Sequence, residues 1–99
     1  MKKILLVCNA GMSTSMLVAK MKKAAQADGV EVSIEAKSLA DAKKEIQEAN
    51  IVLLGPQIRY ELENVKKLAG SGPVEAIDMR DYGMMNGEKV LKHAMEVMG

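Results

Sequence analysis

Lys3-Ile4-Leu5-Leu6-Val7-Cys8-Asn9-Ala10-Gly11-Met12-Ser13-Thr14-Ser15 is the stretch that decides the fold. Ile4 to Val7 are continuously apolar, the pattern of a strand buried on both faces of a parallel sheet. A short glycine-containing stretch follows at once. Leu17, Met21 and Ala24 then recur at spacings of four and three, with Val18 and Ala25 beside them. That stripe predicts a helix over residues 14–27. Ser13, Thr14 or Ser15 can cap its start, and Asp28-Gly29 ends it.

The same alternation of strand and helix continues. Val30, Val32, Ile34 and Ala36 alternate with Glu31, Ser33 and Glu35, which reads as a strand near a sheet edge. Ser38 and Asp41 resemble a capping box, and Leu39, Ala42 and Ile46 mark a helix to about Glu48. Ile51-Val52-Leu53-Leu54 is the second continuous apolar run, stopped by Gly55-Pro56. Residues 60–69 read as a third helix with Leu62, Val65 and Leu68 inward. Gly70-Ser71-Gly72-Pro73 is a turn, and residues 74–77 a last short strand. Asp78 to Gly87 reads as a polar, Met-containing loop, and Glu88 to Met98 as a final helix with Asn86 as a possible cap.

Four strand–helix pairs predict one α/β domain over residues 1–99. Its sheet is open, four-stranded and parallel, with right-handed crossovers and helices on both faces. The order 2-1-3-4 puts the two most apolar strands in the centre. It also puts the order reversal between strands 1 and 3, where α/β sheets bind their ligands. Cys8 ends strand 1, and Gly55-Pro56-Gln57 ends strand 3.

Composition bounds the function. With 99 residues, 48% hydrophobic and 27% charged, the chain resembles an ordinary soluble domain. A formal net charge of +1 gives no basis for a nucleic-acid partner. One cysteine excludes an internal disulfide framework and a cysteine-built zinc site, and no cluster of ligand residues supports another metal; no cofactor is expected. The N-terminal apolar run is far shorter than the roughly 20 residues that span a bilayer, nor does it have the shape of a secretory signal. The expected location is cytoplasmic. Phe and Trp are absent, and most of the nine methionines read as core filler. Met12 and the Met84-Met85 pair fall in expected loops and have the better claim to a surface role.

Cys8 has two readings. It is either a small buried hydrophobe or a nucleophile. The first-turn N–H groups of the following helix suit an anion and favour a thiolate. Gly11 lets the backbone approach closely, and Ser13, Thr14 and Ser15 add hydroxyl donors. There is no G-x-G-x-x-G, no G-K-[ST] and no C-x-x-C. His93, the only histidine, sits among Lys89, Lys92 and Glu96 and reads as a surface helical residue.

Cys8 after a first strand resembles the low-molecular-weight tyrosine phosphatases, whose loop is C-x5-R-[ST] with a late aspartate as general acid. Here Thr14 stands where that arginine would, Ser15 matches the following hydroxyl, and Asp78 or Asp81 falls near the late aspartate. Without the arginine clamp, phosphoenzyme formation with weak hydrolysis is expected. On this reading, Thr14→Arg should raise phosphatase turnover.

A closer resemblance covers essentially the whole chain. Residues 3–15, quoted above, and Leu54-Gly55-Pro56-Gln57-Ile58-Arg59-Tyr60 resemble the IIB components of the sugar phosphotransferase system (PTS), in the lactose/cellobiose/diacetylchitobiose class. The resemblance implies a protein-N(pi)-phosphohistidine–sugar phosphotransferase. Cys8 would accept a phosphoryl group from a phosphohistidine on the IIA component. It would then pass the group to a β-linked disaccharide bound by the membrane component IIC. Asn9, Ala10, Gly11, Met12, Ser13, Thr14 and Ser15 would form the phosphate-binding loop. Gln57, Arg59, Tyr60, Asp81 and Tyr82 are candidates for accessory or partner contact, with Tyr60 alternatively packing on the third helix. The carrier is expected to be monomeric, and at the membrane only transiently through IIC. Two alternatives stay open at this point: a phosphatase-like enzyme and a non-catalytic anion-binding domain.

Overall fold

The computed structural model describes residues 2–8, 12–70 and 72–98, with Met12 and Ser13 in backbone only. Strands β1 (Lys2–Cys8), β2 (Val32–Ser38), β3 (Ile51–Leu54) and β4 (Val74–Ala76) form one parallel sheet in the order β2-β1-β3-β4. Around it lie helices α1 (Met12–Ala27), α2 (Leu39–Glu48), α3 (Leu62–Leu68), α4 (Met79–Gly83) and α5 (Gly87–Met98). The strand order is the expected one.

Strand alternation divides the core into two layers. Ile4 and Leu6 pack with Leu17, Met21, Val90 and Ala94 on the α1/α5 face. Leu5 and Val7 pack with Ala42, Ile46 and Val65 on the α2/α3 face. All four side chains are fully buried, which is why β1 reads as a continuous apolar run. Each contributes about 2 kcal/mol of apolar burial. By the same alternation Cys8 continues the row of Ile4 and Leu6. It pairs with Ser38 of β2, one residue beyond the Val7–Leu54 pair that ends the β1–β3 ladder.

Four boundaries differ from the sequence reading, each for a local reason. β2 starts two residues late because the α1 C-cap consumes Val30. Val30 N–H donates to Ala25 O (2.9 Å), Gly29 N–H donates to Gln26 O (3.2 Å), and Gly29 has φ +67°. This is a Schellman motif, and glycine suits its left-handed residue. At the other end, α1 begins at Met12, so Ser13, Thr14 and Ser15 lie inside its first turn instead of capping it.

Pro56 ends β3 but does not open a loop. It starts a 3₁₀ segment, Pro56–Glu61, whose buried Ile58 is pinned in the α2/α3 layer, and α3 begins only at Leu62. Residues 78–87 are not an open loop either. Asp78 caps α4, its Oδ1 accepting from Arg80 N–H (2.9 Å) and Asp81 N–H (3.1 Å), and Tyr82 anchors the helix in the α1/α5 layer. Five residues are too few to show a helical stripe, so only the cap could have signalled α4. Asn86 caps α5 as expected, accepting from Lys89 N–H at 3.1 Å.

Candidate active site around Cys8

Cys8 sits at the carboxyl end of β1, where the sheet order reverses between β1 and β3. It is 4% exposed. α1 begins four residues further on and runs for 16 residues. The first-turn N–H groups of a helix have no carbonyl partner within it, and they carry the positive end of its dipole. β1 thus delivers a thiol next to the end of a helix suited to an anion.

The neighbouring strand closes the other side. Gly55 N–H donates to Val7 O at 2.8 Å, extending the β1–β3 ladder past its last pair. A Cβ at position 55 would lie 3.5 Å from Cys8 Cβ and 3.0 Å from Gln57 Oε1. Gly55 therefore sits between the cysteine and the Gln57 carboxamide. A side chain there would push Gln57 away. The sequence places Gly55 at the end of strand 3 by the crevice but carries no sign of this close approach to Cys8.

Asn9, Ala10 and Gly11, with the side chains of Met12 and Ser13, lie outside the described residues. Ser15 is exposed. Thr14 is fully buried, and its Oγ1 lies 3.2 Å from Tyr82 Oη, so α4 is hydrogen-bonded to the first turn of α1. Nothing in the local sequence signals this contact, because 68 positions separate the two residues. Thr14, read as a loop hydroxyl, is instead turned into the protein toward Tyr82.

The remaining candidates divide. Arg59 is exposed, and its Nη1 donates to Met79 Sδ at 3.8 Å, joining the 3₁₀ segment to α4. Tyr60 is 74% exposed, which overturns the expectation of packing on α3. Asp81 pairs with Lys89 (3.6 Å) on α5. The Asp78 carboxyl is held below the usual carboxylate range, chiefly by the N–H of Asp81 and then by that of Arg80. It is thereby kept ionised, which is the wrong state for a general acid. Met84 is exposed, but Met85 packs against the α1/α5 layer, so only one of that pair is a surface residue. His93 is an exposed residue of α5, with Nε2 2.7 Å from Glu75 Oε1. A cleft of about 390 Å³ between β4 and α5 is lined by Ile77, Asp81, Lys89 and His93 but not by Cys8. No helix among the described residues is long and apolar enough to cross a membrane.

Fold and site together define a class: a small parallel α/β domain with one thiol at the switch point and a helix start behind it. Residues 3–93 match the family described as PTS system, Lactose/Cellobiose specific IIB subunit. The chain is 45% identical to the PTS system oligo-beta-mannoside-specific EIIB component of Bacillus subtilis (strain 168), covering 99% of this chain and 97% of that protein. It is 44% identical to the galactose-specific EIIB component of Lactococcus lactis subsp. cremoris (strain MG1363), over 98% and 96%. Identity is again 44%, over 98% and 96%, to the cellobiose-specific EIIB component of Lactococcus lactis subsp. lactis (strain IL1403).

Solved structures agree. The cellobiose-specific phosphotransferase IIB component from Borrelia burgdorferi superposes with a TM-score of 0.77 at 39% identity, over 98% of this chain and 91% of that one. The lactose-specific IIB component domain from Streptococcus pneumoniae gives 0.84 at 18% identity, over 97% and 96%. A YwlE mutant from Bacillus subtilis gives 0.53 at 12% identity, over 99% and 94%. It shares only the fold, the one expected from the likeness to low-molecular-weight tyrosine phosphatases. The chain belongs to the lactose/cellobiose-specific IIB family of the sugar phosphotransferase system. It is a phosphotransferase component, and the family works with IIA and IIC components.

Proposed function

We propose that Cys8 carries the phosphoryl group, accepting it from a phosphohistidine on IIA and donating it to a β-linked disaccharide bound by IIC. One observation carries this reading: the chain's only thiol ends one of the two central strands at the switch point, four residues ahead of a helix start. The Cys8 thiolate attacks phosphorus, the S–P bond forms, and the N–P bond breaks. The imidazole nitrogen leaves with the electron pair and takes up a proton. In the second half a sugar hydroxyl attacks phosphorus, the O–P bond forms and the S–P bond breaks. The thiolate is regenerated, and the hydroxyl proton passes to solvent or to a base on the acceptor side. Backbone N–H groups of residues 9–15 stabilise the dianion in between.

The phosphatase reading is weaker. Thr14 replaces the arginine clamp, and Asp78 is engaged as a helix cap whose N–H bonds hold its carboxyl below the usual range, which disfavours it as a proton donor. The sugar assignment draws on the cellobiose- and oligo-beta-mannoside-specific relatives. A galactose-specific relative is equally similar, so sugar choice is assigned to IIC. The carrier is read as a cytoplasmic monomer that meets the membrane through IIC.

Intact-mass measurement tests the reading after incubation with phosphoenolpyruvate, enzyme I, HPr and the matching IIA. One added phosphoryl unit of about 80 Da is expected on the wild type and not on Cys8→Ser. Rapid phosphate release without sugar would favour the phosphatase. Absence of any adduct would sink both chemical readings.

A further inference from the structure

Two hydroxyls meet where the core is otherwise apolar. Among the described residues Thr14 is the only polar or charged one that is buried. Tyr82 is the only aromatic ring in their core, since the chain's other aromatic residue, Tyr60, faces water. Thr14 Oγ1 and Tyr82 Oη lie 3.2 Å apart. Stability alone does not call for this pair. Valine and phenylalanine would fill the same space, and replacing both partners of a buried hydrogen bond by apolar groups of that shape is close to neutral. What the hydrogen bond adds over apolar contact is a preferred length and direction.

The bond acts on the start of α1. Thr14 is the third residue of that helix, within the turn whose N–H groups have no partner in the helix. Of the described side chains in this turn, Thr14 enters the core and Ser15 is exposed. The orientation of the turn is therefore referred to Tyr82.

Tyr82 is itself firmly based. α4 has five residues, too few for a helix to hold in isolation, and bonds close it at both ends. Asp78 Oδ1 accepts from Arg80 N–H and Asp81 N–H at its start. At its end Met85 N–H donates to Tyr82 O at 3.1 Å, and Asn86 N–H donates to Asp81 O at 2.9 Å. Lys89 of α5 pairs with Asp81 from the side. A ring with two rotatable bonds, 8% exposed and set on such a turn, gives its hydroxyl a fixed place.

We propose that Tyr82 is a positioning residue for phosphoryl transfer, acting through Thr14 to aim the first-turn N–H groups of α1 at the phosphoryl group on Cys8. The role rests on the reading of Cys8 as the phosphoryl carrier. In that transfer the S–P bond forms as the N–P bond to histidine breaks. The imidazole takes up a proton, and Tyr82 gives and takes none. Donors fixed in advance stabilise the developing charge without reorganising during the step. A misplacement of about 1 Å can slow such a step about a hundredfold. Tyr82→Phe keeps every donor and loosens only their aim, so a loss of about tenfold is expected.

Rapid-quench measurement of phosphoryl transfer from phosphorylated IIA to the whole chain tests this, at a temperature well below the melting of every variant. Tyr82→Phe should lower the saturating rate about tenfold and leave the half-saturating concentration of IIA unchanged. Thr14→Val should behave alike, and Thr14→Ser, which restores a hydroxyl, should recover most of the lost rate. Thr14→Val combined with Tyr82→Phe should be no slower than either single variant, because all three lose the same bond. The phosphorus NMR line of phosphorylated Cys8 should shift in Tyr82→Phe and stay in place in Lys67→Ala, a change on the exposed face of α3. A bond that serves only the fold would lower the melting temperature and leave rate and line unchanged. That result would overturn the role of Tyr82 while leaving Cys8 as the carrier. A wild-type chain that takes up no phosphoryl group on Cys8 would overturn the carrier reading and this role with it.

Discussion

The Thr14 and Tyr82 hydroxyls lie 3.2 Å apart, one in the first turn of α1 and the other on α4, and both side chains are buried. This bond ties the element that follows β4 to the helix start behind Cys8. Removing one partner leaves a buried hydroxyl without its mate, whereas removing both leaves an apolar contact of similar shape. Thr14→Val and Tyr82→Phe are each expected to lower stability by about 1 kcal/mol or somewhat more. The double variant should lose less than the sum of the singles, by about 1 kcal/mol. Urea denaturation of the four proteins measures it. Strict additivity would show that the bond contributes nothing.

The cap on α4 gives a pH-dependent prediction. Asp78 has its folded value lowered from the ordinary 3.8, first by the Asp81 N–H and then by the Arg80 N–H. A depressed carboxylate contributes stability that is present above its unfolded value and lost as pH falls through the folded one. Asn caps about as well as Asp but carries no charge. Wild type should therefore melt above Asp78→Asn at neutral pH, and the gap should close as pH falls below 3.8. A gap that stays constant from neutral pH into the acid range would show that the charge is irrelevant to the cap.

The fold was legible because its two central strands announce themselves. Ile4–Val7 and Ile51–Leu54 are apolar without interruption, and only a strand covered on both faces needs that. Stripes such as Leu17, Met21 and Ala24 locate the helices between them. The Schellman end of α1 moved β2 by two residues, since Gly29 and Val30 are taken up by cap bonds. α4 was unreadable because Asp78 and Tyr82 act one at a time, the first as a cap and the second as a long-range anchor. At the site, Cys8 stood out as a lone thiol at a strand end. Gly55 beside it, and Tyr82 against Thr14, depend on how β1, β3 and α4 meet in space, and no local pattern records that.

Gly87 lets α5 approach the backbone of α1. A Cβ added there would lie 2.6 Å from Met21 N and 2.7 Å from Lys20 C, both backbone atoms of α1. No rotamer change can relieve such a clash, so one helix must move. Gly87→Ala is expected to cost about 2 to 3 kcal/mol despite the better helix propensity of alanine. Thermal melting checks this. Because α1 carries the helix start behind Cys8, phosphoryl acceptance from IIA should slow as well. A variant as stable as wild type would mean that the helices separate freely at this point.

The missing arginine poses the sharpest chemical test. From sequence alone, Thr14→Arg should raise hydrolysis of the phosphoryl group. The structure adds an obstacle, because Thr14 is fully buried and its hydroxyl meets Tyr82. An arginine side chain there drives into Tyr82 and overpacks the layer, at an expected cost of about 3 kcal/mol. The single variant should therefore be destabilised with little gain in turnover. Thr14→Arg combined with Tyr82→Ala removes the side chain that an arginine at position 14 would meet, and frees the guanidinium to turn toward the loop. In that background phosphate release from phosphorylated Cys8 should accelerate at least about tenfold, the scale of a charge-assisted clamp on a developing anion. Release is followed as free phosphate without sugar acceptor, with Tyr82→Ala alone as the control. Equal rates in the double variant and the control would show that retention of the phosphoryl group does not depend on the absence of arginine.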